Sequence, residues 1–426
     1  MKNYNKLDTA AKVFPAVANG NNSSVFRIAV ILKEEVDPKS LQLALNLIYQ
    51  RYNFFFLRLR RGVFWDYFDT NYYHCEVQEE NDTPCSSIRS YENNGFAIKV
   101  LYYKNRISVE AFHSVTDGSG IIEFLKSLVY YYISIKYGAI DHQNKVLLFD
   151  ETEKNDNDSF NEYFSKLSKR KLVKIKSAKS SYQVKGKIYP NGGHAVITGI
   201  VSVNDIKSYC KNQNCTITAF LIATLINAIY EEKVKKLKKP KYINIAVPVN
   251  LRKIFISKTL KNFFSVVKIG YEMCEDTKFD DLIKSVSLQL SQKIVESNLK
   301  SISSQNIKFS NNIFSKHTPL MLKNLIIPIG FNYLGELKKT MTLSNVGKVD
   351  FPDGIKPYVE HAEVLAYPTK KSPISCSVCS CEDKLSINFI RSIKDVSIIR
   401  NFFKTLANKL DTDVTIYSNM WGDTYE

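Results

Sequence analysis

One short segment of this chain holds side chains that could move a proton: Phe112-His113-Ser114-Val115-Thr116-Asp117-Gly118. An imidazole is the natural general base near neutral pH, because its unperturbed pKa lies there. Asp117 follows four residues later and could serve as a second base, orient the histidine, or tie the loop down through an arginine. The structural role is favoured, since a short loop would need distortion to make the two residues a working dyad. Gly118 gives the chain freedom to turn where a Cβ would interfere. Taken alone, a histidine near Asp-Gly is a weak signal.

The surrounding elements give the segment a position. Ile107 to Phe112 reads as a strand, and Thr116 to Gly120 as a turn that opens a helix running to Tyr137 and closed by Gly138. A strand-to-turn boundary can hold a side chain rigidly and still face it to a cleft. Upstream, Val25 to Leu32 reads as a strand, and Asp37-Pro38 supplies an N-cap and an N1 proline. Leu41, Ala44, Leu45 and Ile48 then follow at helical spacing. Gly62 to Asp69 and Phe96 to Tyr103 are aromatic and β-branched runs that read as strands.

Glu151 to Asp158 is acidic and Lys166 to Lys179 basic, which marks a crossing segment between domains. A second αβ pattern begins near His194. Strands are expected at Ala195 to Val203, Tyr242 to Val247, Phe263 to Tyr271, Val359 to Leu365, Ile374 to Cys379 and Leu385 to Ile390. Helices are expected at Phe279 to Leu299 and Val396 to Leu410, with a core helix, hydrophobic nearly all round, at Thr218 to Tyr230. The fold class is α/β or α+β, in two domains, 1–180 and 181–426.

Other candidates have ordinary readings. Cys376, Cys379 and Cys381 are close enough to suggest zinc, but no second Cys or His pair stands at a zinc spacing, so buried strand thiols are expected and no metal. His361 and Glu363 share one strand face, away from Glu360, and a surface or core histidine is favoured. Gly192-Gly193 reads as a turn, without the Lys-Ser/Thr of a phosphate loop. Lys233 to Lys241 could grip phosphates, although a charge run after a helix end is more often solvated.

Four segments together resemble a known group. His-x-x-x-Asp-Gly after a strand is the signature of the chloramphenicol-acetyltransferase-like superfamily, which includes condensation domains and alcohol acetyltransferases. Arg51 to Leu59 with Gly62-Val63-Phe64-Trp65 is similar to the segment alcohol acetyltransferase-like members carry after their first helix. Val247-Pro248-Val249-Asn250-Leu251-Arg252, running on to Asn262-Phe263-Phe264, resembles their second-domain signature, and Thr342 to Gly347 their late Ser-Asn-x-Gly motif. The matches fall in the expected order over nearly the whole chain.

The resemblance implies two sheet-and-helix domains with a central channel between them and the motif histidine midway along it. It implies a cofactor-free acyltransferase in which His113 takes the proton from a hydroxyl or amine attacking a thioester carbonyl. Acyl-CoA would be the co-substrate, a small alcohol or amine the acceptor, and an acyl or peptidyl carrier protein an alternative donor. Ser344 and Asn345 are the oxyanion candidates, with Asn262 behind them. Asp117 would form a structural ion pair, with Arg252 first among the available arginines and Arg51 and Arg58 the others. Condensation domains usually carry two successive histidines, and here the first position is Phe112. That departure puts single-histidine acyl transfer ahead of peptide-bond formation, and keeps open a member that binds without catalysing.

The 426 residues carry 59 Lys+Arg against 42 Asp+Glu, a net charge of +17, but the lysines are scattered and lack the clustered basic-aromatic pattern of a nucleic-acid module. A basic surface would suit coenzyme A phosphates or an acidic carrier. The N-terminus lacks the apolar core of a secretory signal, and Ile121 to Ile135 is too short and too charged to span a bilayer. A cytoplasmic protein with reduced thiols is expected, and a monomer, since two domains can build the whole channel.

Overall fold

The computed structural model describes residues 5–20, 22–89, 91–151, 155–165, 180–311 and 317–419. The basic stretch Lys166 to Lys179 lies outside them, as do residues 152–154 of the acidic one. The elements are β1 (Asn5–Lys6), α1 (Phe14–Val17), β2 (Val25–Leu32), α2 (Pro38–Ile48), β3 (Leu57–Arg60), β4 (Tyr67–Thr70), β5 (Val77–Glu79), β6 (Ile98–Tyr103), β7 (Arg106–Phe112), α3 (Gly118–Tyr137) and α4 (Ser159–Phe164). Then come β8 (Ala195–Ser202), α5 (Val203–Asn212), α6 (Ile217–Ile229), β9 (Tyr242–Asn250), β10 (Phe264–Glu272), α7 (Phe279–Lys293), α8 (Glu296–Asn311) and α9 (Leu320–Gly330). The chain closes with β11 (Met341–Lys348), β12 (Val359–Ala366), β13 (Ile374–Cys381), β14 (Lys384–Arg391), α10 (Ser397–Leu410) and β15 (Thr415–Ser418).

Two mixed sheets organise the molecule. The first has the order β12-β2-β7-β6-β5 and the second β10-β9-β11-β13-β14-β8-β15, while β1, β4 and β3 form a small third sheet. Helices α2 and α3 cover the first sheet, and Leu41, Leu45, Phe124, Leu125 and Leu128 meet Ile28, Val30 and Val109 in its core. The second core gathers around α6, whose residues Phe220 to Ile226 are inaccessible to solvent, as an all-apolar helix requires. β12 lies far beyond residue 180 in sequence, yet it pairs antiparallel with β2 (Ala362 opposite Val30) and completes the sheet that carries the His113 strand. Val349, Phe351 and Ile355 follow it into the N-terminal core.

Local signals explain most boundaries. The Asp37 carboxylate accepts from Ser40 N at 2.8 Å and caps α2, with Pro38 at its first position. Gly138 closes α3 at φ +98°, a conformation only glycine adopts without strain. Two expected elements are shorter than the apolar pattern suggests. The strand expected over Gly62 to Asp69 forms only from Tyr67, because Gly62 folds back so tightly that a Cβ there would stand 2.3 Å from Trp65 O. The single helix expected over Phe279 to Leu299 breaks after Lys293 and restarts at Glu296.

Cys376, Cys379 and Cys381 lie buried on β13, and Cys379 Sγ donates to Ala362 O of β12 at 3.2 Å. Among the described residues no group of His, Cys, Asp and Glu could hold a metal ion. His361 is a core histidine: its Nε2 bonds Tyr417 Oη at 2.8 Å, and Glu363 beside it accepts from the same hydroxyl. Glu360 points the other way, to Lys384 at 3.2 Å. Among the described residues no single helix is long and apolar enough to cross a membrane; α5 with the α6 segment passes only as a pair bent by 86°.

Candidate active site

β7 ends at Phe112, and the backbone N–H of His113 donates to Ser24 O, just before β2, at 2.8 Å. This bond fixes the histidine at the sheet's rim, where the chain leaves the ladder. Thr116 Oγ1 then reaches across to Leu260 O at 2.5 Å, binding the loop to the second half of the chain. Gly120 permits that approach, since a Cβ there would stand 2.1 Å from both Leu260 O and Thr116 Oγ1. Gly118, the motif glycine, is the first residue of α3 rather than a turn residue, and its Cβ would meet Val346 Cγ1 of β11 at 3.2 Å.

Asp117 is the N-cap of α3. Its Oδ1 accepts from Ser119 N and Gly120 N, both at 3.1 Å, where the helix dipole favours negative charge. Its Oδ2 accepts from Arg252 Nη1 and Phe263 N, both at 2.8 Å. Both carboxylate oxygens are therefore used up by the fold. The arginine is in turn forked onto backbone carbonyls, with Nε on Thr259 O at 2.7 Å and Nη2 on Lys261 O at 2.5 Å. Of the other two arginines considered, Arg58 pairs with Asp69 at 2.9 Å and Arg51 lies 3.7 Å from Glu151.

The Arg252 network presents Asn262 to His113. Asn262 Nδ2 donates to His113 O at 3.0 Å and to Asp8 Oδ2 at 3.1 Å, and its Oδ1 stands 3.1 Å from His113 Nδ1. With both amide protons held by acceptors, Oδ1 can only accept, so Nδ1 carries the ring proton and Nε2 keeps its lone pair. The same commitments leave Asn262 no free donor for an oxyanion; its place is beside the histidine.

Asp8 anchors this arrangement from the far side. It is buried and accepts from Ala11 N at 2.7 Å as well as from Asn262 N and Nδ2. Burial, reinforced by the nearby Asp158 carboxylate, pushes its carboxyl up to about 7, against the pull of those N–H groups and of Lys261. The sequence offers little to mark Asp8. A lone aspartate capping a three-residue turn has no chemical neighbour until residues 113 and 262 arrive beside it.

The histidine ring is packed among aromatics. Phe14 of α1 stacks on it with centroids 4.4 Å apart and planes within 9°, while Phe26 and Phe264 lie at 4.8 and 5.4 Å. Tyr367 presents an edge at 6.5 Å. This desolvation pulls the imidazole pKa below its ordinary value, opposed by the Asp117 carboxylate and the Asn262 bond. Burial therefore favours the neutral form of the ring.

β11 passes close to this loop. Its Met341 and Leu343 point into the second core, so Ser344 projects from the opposite face. Asn345 Nδ2 donates to Thr218 Oγ1 at 3.1 Å and its Oδ1 accepts from Gly347 N at 3.0 Å, which commits the amide to the strand's own bulge. Gly347 takes φ +89° there, and Val346 reaches Gly118. Thus His113, Asp117, Gly118, Arg252 and Asn262 come together in one constellation, while Asn345 is turned to α6.

Residues 113–410 match the alcohol acetyltransferase family. No curated protein sequence matches the chain. Among solved structures, polyketide synthase associated protein 5 from Mycobacterium tuberculosis superposes with a TM-score of 0.61 at 13% identity, over 95% of this chain and 98% of that one. F. sporotrichioides TRI101, solved with coenzyme A and T-2, gives 0.61 at 10% identity over 97% and 99%. The first condensation domain of the CDA synthetase gives 0.62 at 9% identity over 96% and 95%. These likenesses establish the two-domain chloramphenicol-acetyltransferase-like fold. With more than half its length matched, beginning at His113 itself, the chain belongs to the alcohol acetyltransferase family and is an acyltransferase.

Proposed function

We propose that the protein transfers an acyl group from acyl-CoA to a hydroxyl or amine, with His113 as general base. The carrying observation is the bond between Asn262 Oδ1 and His113 Nδ1, which leaves the Nε2 lone pair free to take a proton. As the acceptor attacks the thioester carbonyl, its proton passes to Nε2. The new C–O or C–N bond forms, the tetrahedral intermediate collapses with loss of the C–S bond, and the imidazolium returns the proton to the departing thiolate. No covalent enzyme intermediate and no bound cofactor are required.

Asn262 and Asp8 serve as positioning residues, and Asp117 with Arg252 locks the two halves of the chain, 1–180 and 181–426, across the site. Ser344 and Asn345 are the oxyanion candidates, Ser344 on the face of β11 away from the second core and Asn345 with one amide proton on Thr218 and the other left to donate. A coenzyme A donor is supported by the fold shared with TRI101, which was solved with that molecule. The likeness to a condensation domain supports a second reading, a carrier-bound acyl donor. The chain would act as a monomer in the cytoplasm. Thiol release from a panel of free acyl-CoAs, set against the same acyl groups on a phosphopantetheinylated carrier, separates the two donors. Turnover with free acyl-CoA supports the first reading, and turnover with the carrier alone the second.

A further inference from the structure

A surface helix normally turns its apolar stripe to the core and its polar side chains to water. α9 buries only Leu320, Lys323 and Ile327 and leaves most of its apolar side chains in water. Met321, Leu325 and Ile329, at successive i+4 positions, are 83%, 67% and 68% exposed, and Leu322 and Ile326 beside them 51% and 53%. The one charged side chain of the helix, Lys323, points inward: its Nζ donates to Phe64 O at 2.8 Å and lies 3.6 Å over the Trp65 ring. The β3–β4 hairpin tip joins this face, with Leu320 N on Val63 O at 2.8 Å and both Val63 and Phe64 exposed. Contiguous exposed apolar surface on this scale marks an interaction site.

The charge around the face selects the partner. Arg60 and Arg61 stand exposed at the base of the hairpin tip, and the whole chain carries +17. A second copy docked face to face would bring like charge against like. A bilayer with anionic headgroups matches both features, since acyl chains take up Met, Leu and Ile while phosphates meet the flanking cations. The eleven residues of α9 are too few to span a bilayer, so the helix would lie in the interface.

We propose that α9 and the β3–β4 hairpin tip form a docking face for an anionic membrane surface. The face adjoins the active site, because α1, which carries Phe14 onto His113, packs against α9. The proposal does not depend on the chemistry assigned to His113.

The test is co-sedimentation of the full chain with vesicles of phosphatidylcholine mixed with phosphatidylglycerol, and with vesicles of phosphatidylcholine alone. The wild type and His113→Ala should partition alike onto the mixed vesicles, more weakly onto the neutral ones, and less as salt is raised. Leu325→Glu combined with Ile329→Glu should reduce partitioning at least about tenfold, since two apolar side chains would be replaced by charges that acyl chains cannot solvate. Ile256→Glu, at a residue 90% exposed elsewhere, should leave it unchanged. A thermal melt of each variant, matching the wild type, excludes misfolding. Failure of the wild type to bind the mixed vesicles, or equal binding by the double variant, overturns the proposal. So does a dimer in light scattering that the double variant abolishes, which would make the face an interface between copies.

Discussion

Asn262 holds His113 at two points, donating from Nδ2 to its backbone carbonyl at 3.0 Å and presenting Oδ1 to its Nδ1 at 3.1 Å. The side chain that sets the ring's tautomer thus also sets its height above the sheet. Asn262→Ala should release both and lower kcat by about ten- to a hundredfold, by analogy with the partners that orient metal-bound imidazoles. KM should change little, because substrate contacts are untouched. A proportionate rise in KM at unchanged kcat would place Asn262 in substrate binding instead.

Asp8→Asn offers a subtler test of the same relay. An amide at position 8 turned toward Asn262 favours its flip, which would present NH2 to His113 Nδ1 and move the ring proton to Nε2. The expected result is a fall in kcat comparable to that of Asn262→Ala, with little change in the thermal melt at acid pH. The double variant should be no worse than either single one, since both act through one tautomer. Additive losses would separate the two residues.

Asp8 also predicts a pH dependence of stability. Its carboxyl titrates near 7 in the folded chain and at about 3.8 when solvated, so between these values the native state holds a proton that the unfolded state has released. This contribution is complete below about 4, declines as pH rises toward 7 and is gone above it. Urea midpoints should fall from pH 5 to pH 8 in the wild type, and the fall should be reduced in Asp8→Ala. An unchanged difference would assign the dependence to other groups.

The acid limb of kcat/KM belongs to His113. Burial among Phe14, Phe26 and Phe264 lowers its pKa, and a base must be deprotonated to act. Activity should hold as pH is lowered toward 6.5 and fall only below it. An inflection above 6.5 would mean that the Asp117 carboxylate outweighs desolvation.

The two glycines of the loop differ in consequence. Gly120→Ala forces a Cβ within 2.1 Å of a backbone carbonyl and should destabilise the fold by several kcal/mol, as overpacking against backbone does. Gly118→Ala meets one methyl of Val346 at 3.2 Å and should cost far less. Chemical denaturation of both variants decides the order, and a larger loss at Gly118 would contradict it.

Sequence reading reached the strands and helices closely where periodicity and caps agree, as at Val25–Leu32 and in the capped helix Pro38–Ile48. It stopped where the determinant is tertiary. The strand expected from Gly62 is a turn that folds back onto Trp65 and receives Lys323, 259 positions beyond Phe64, and α9 itself escapes a core-seeking reading because most of its apolar side chains face outward. In the site, the pairing of Asp117 with Arg252 was expected and is present, because the motif and its arginine both carry local signatures. Asp8 was invisible, since its function rests on one hydrogen-bonded neighbour 254 residues on. Asn262 stood among the oxyanion candidates because the resemblance of its segment to a family signature places it near the site but says nothing of where its amide protons go.

Transfer of the acceptor's proton to His113 Nε2 is decided by thiol release from acyl-CoA in the presence of alcohol and amine acceptors, compared between wild type and His113→Ala. The account predicts turnover by the wild type and a loss of roughly a hundredfold or more in the variant, with an unchanged thermal melt. Equal turnover by the two proteins would contradict it.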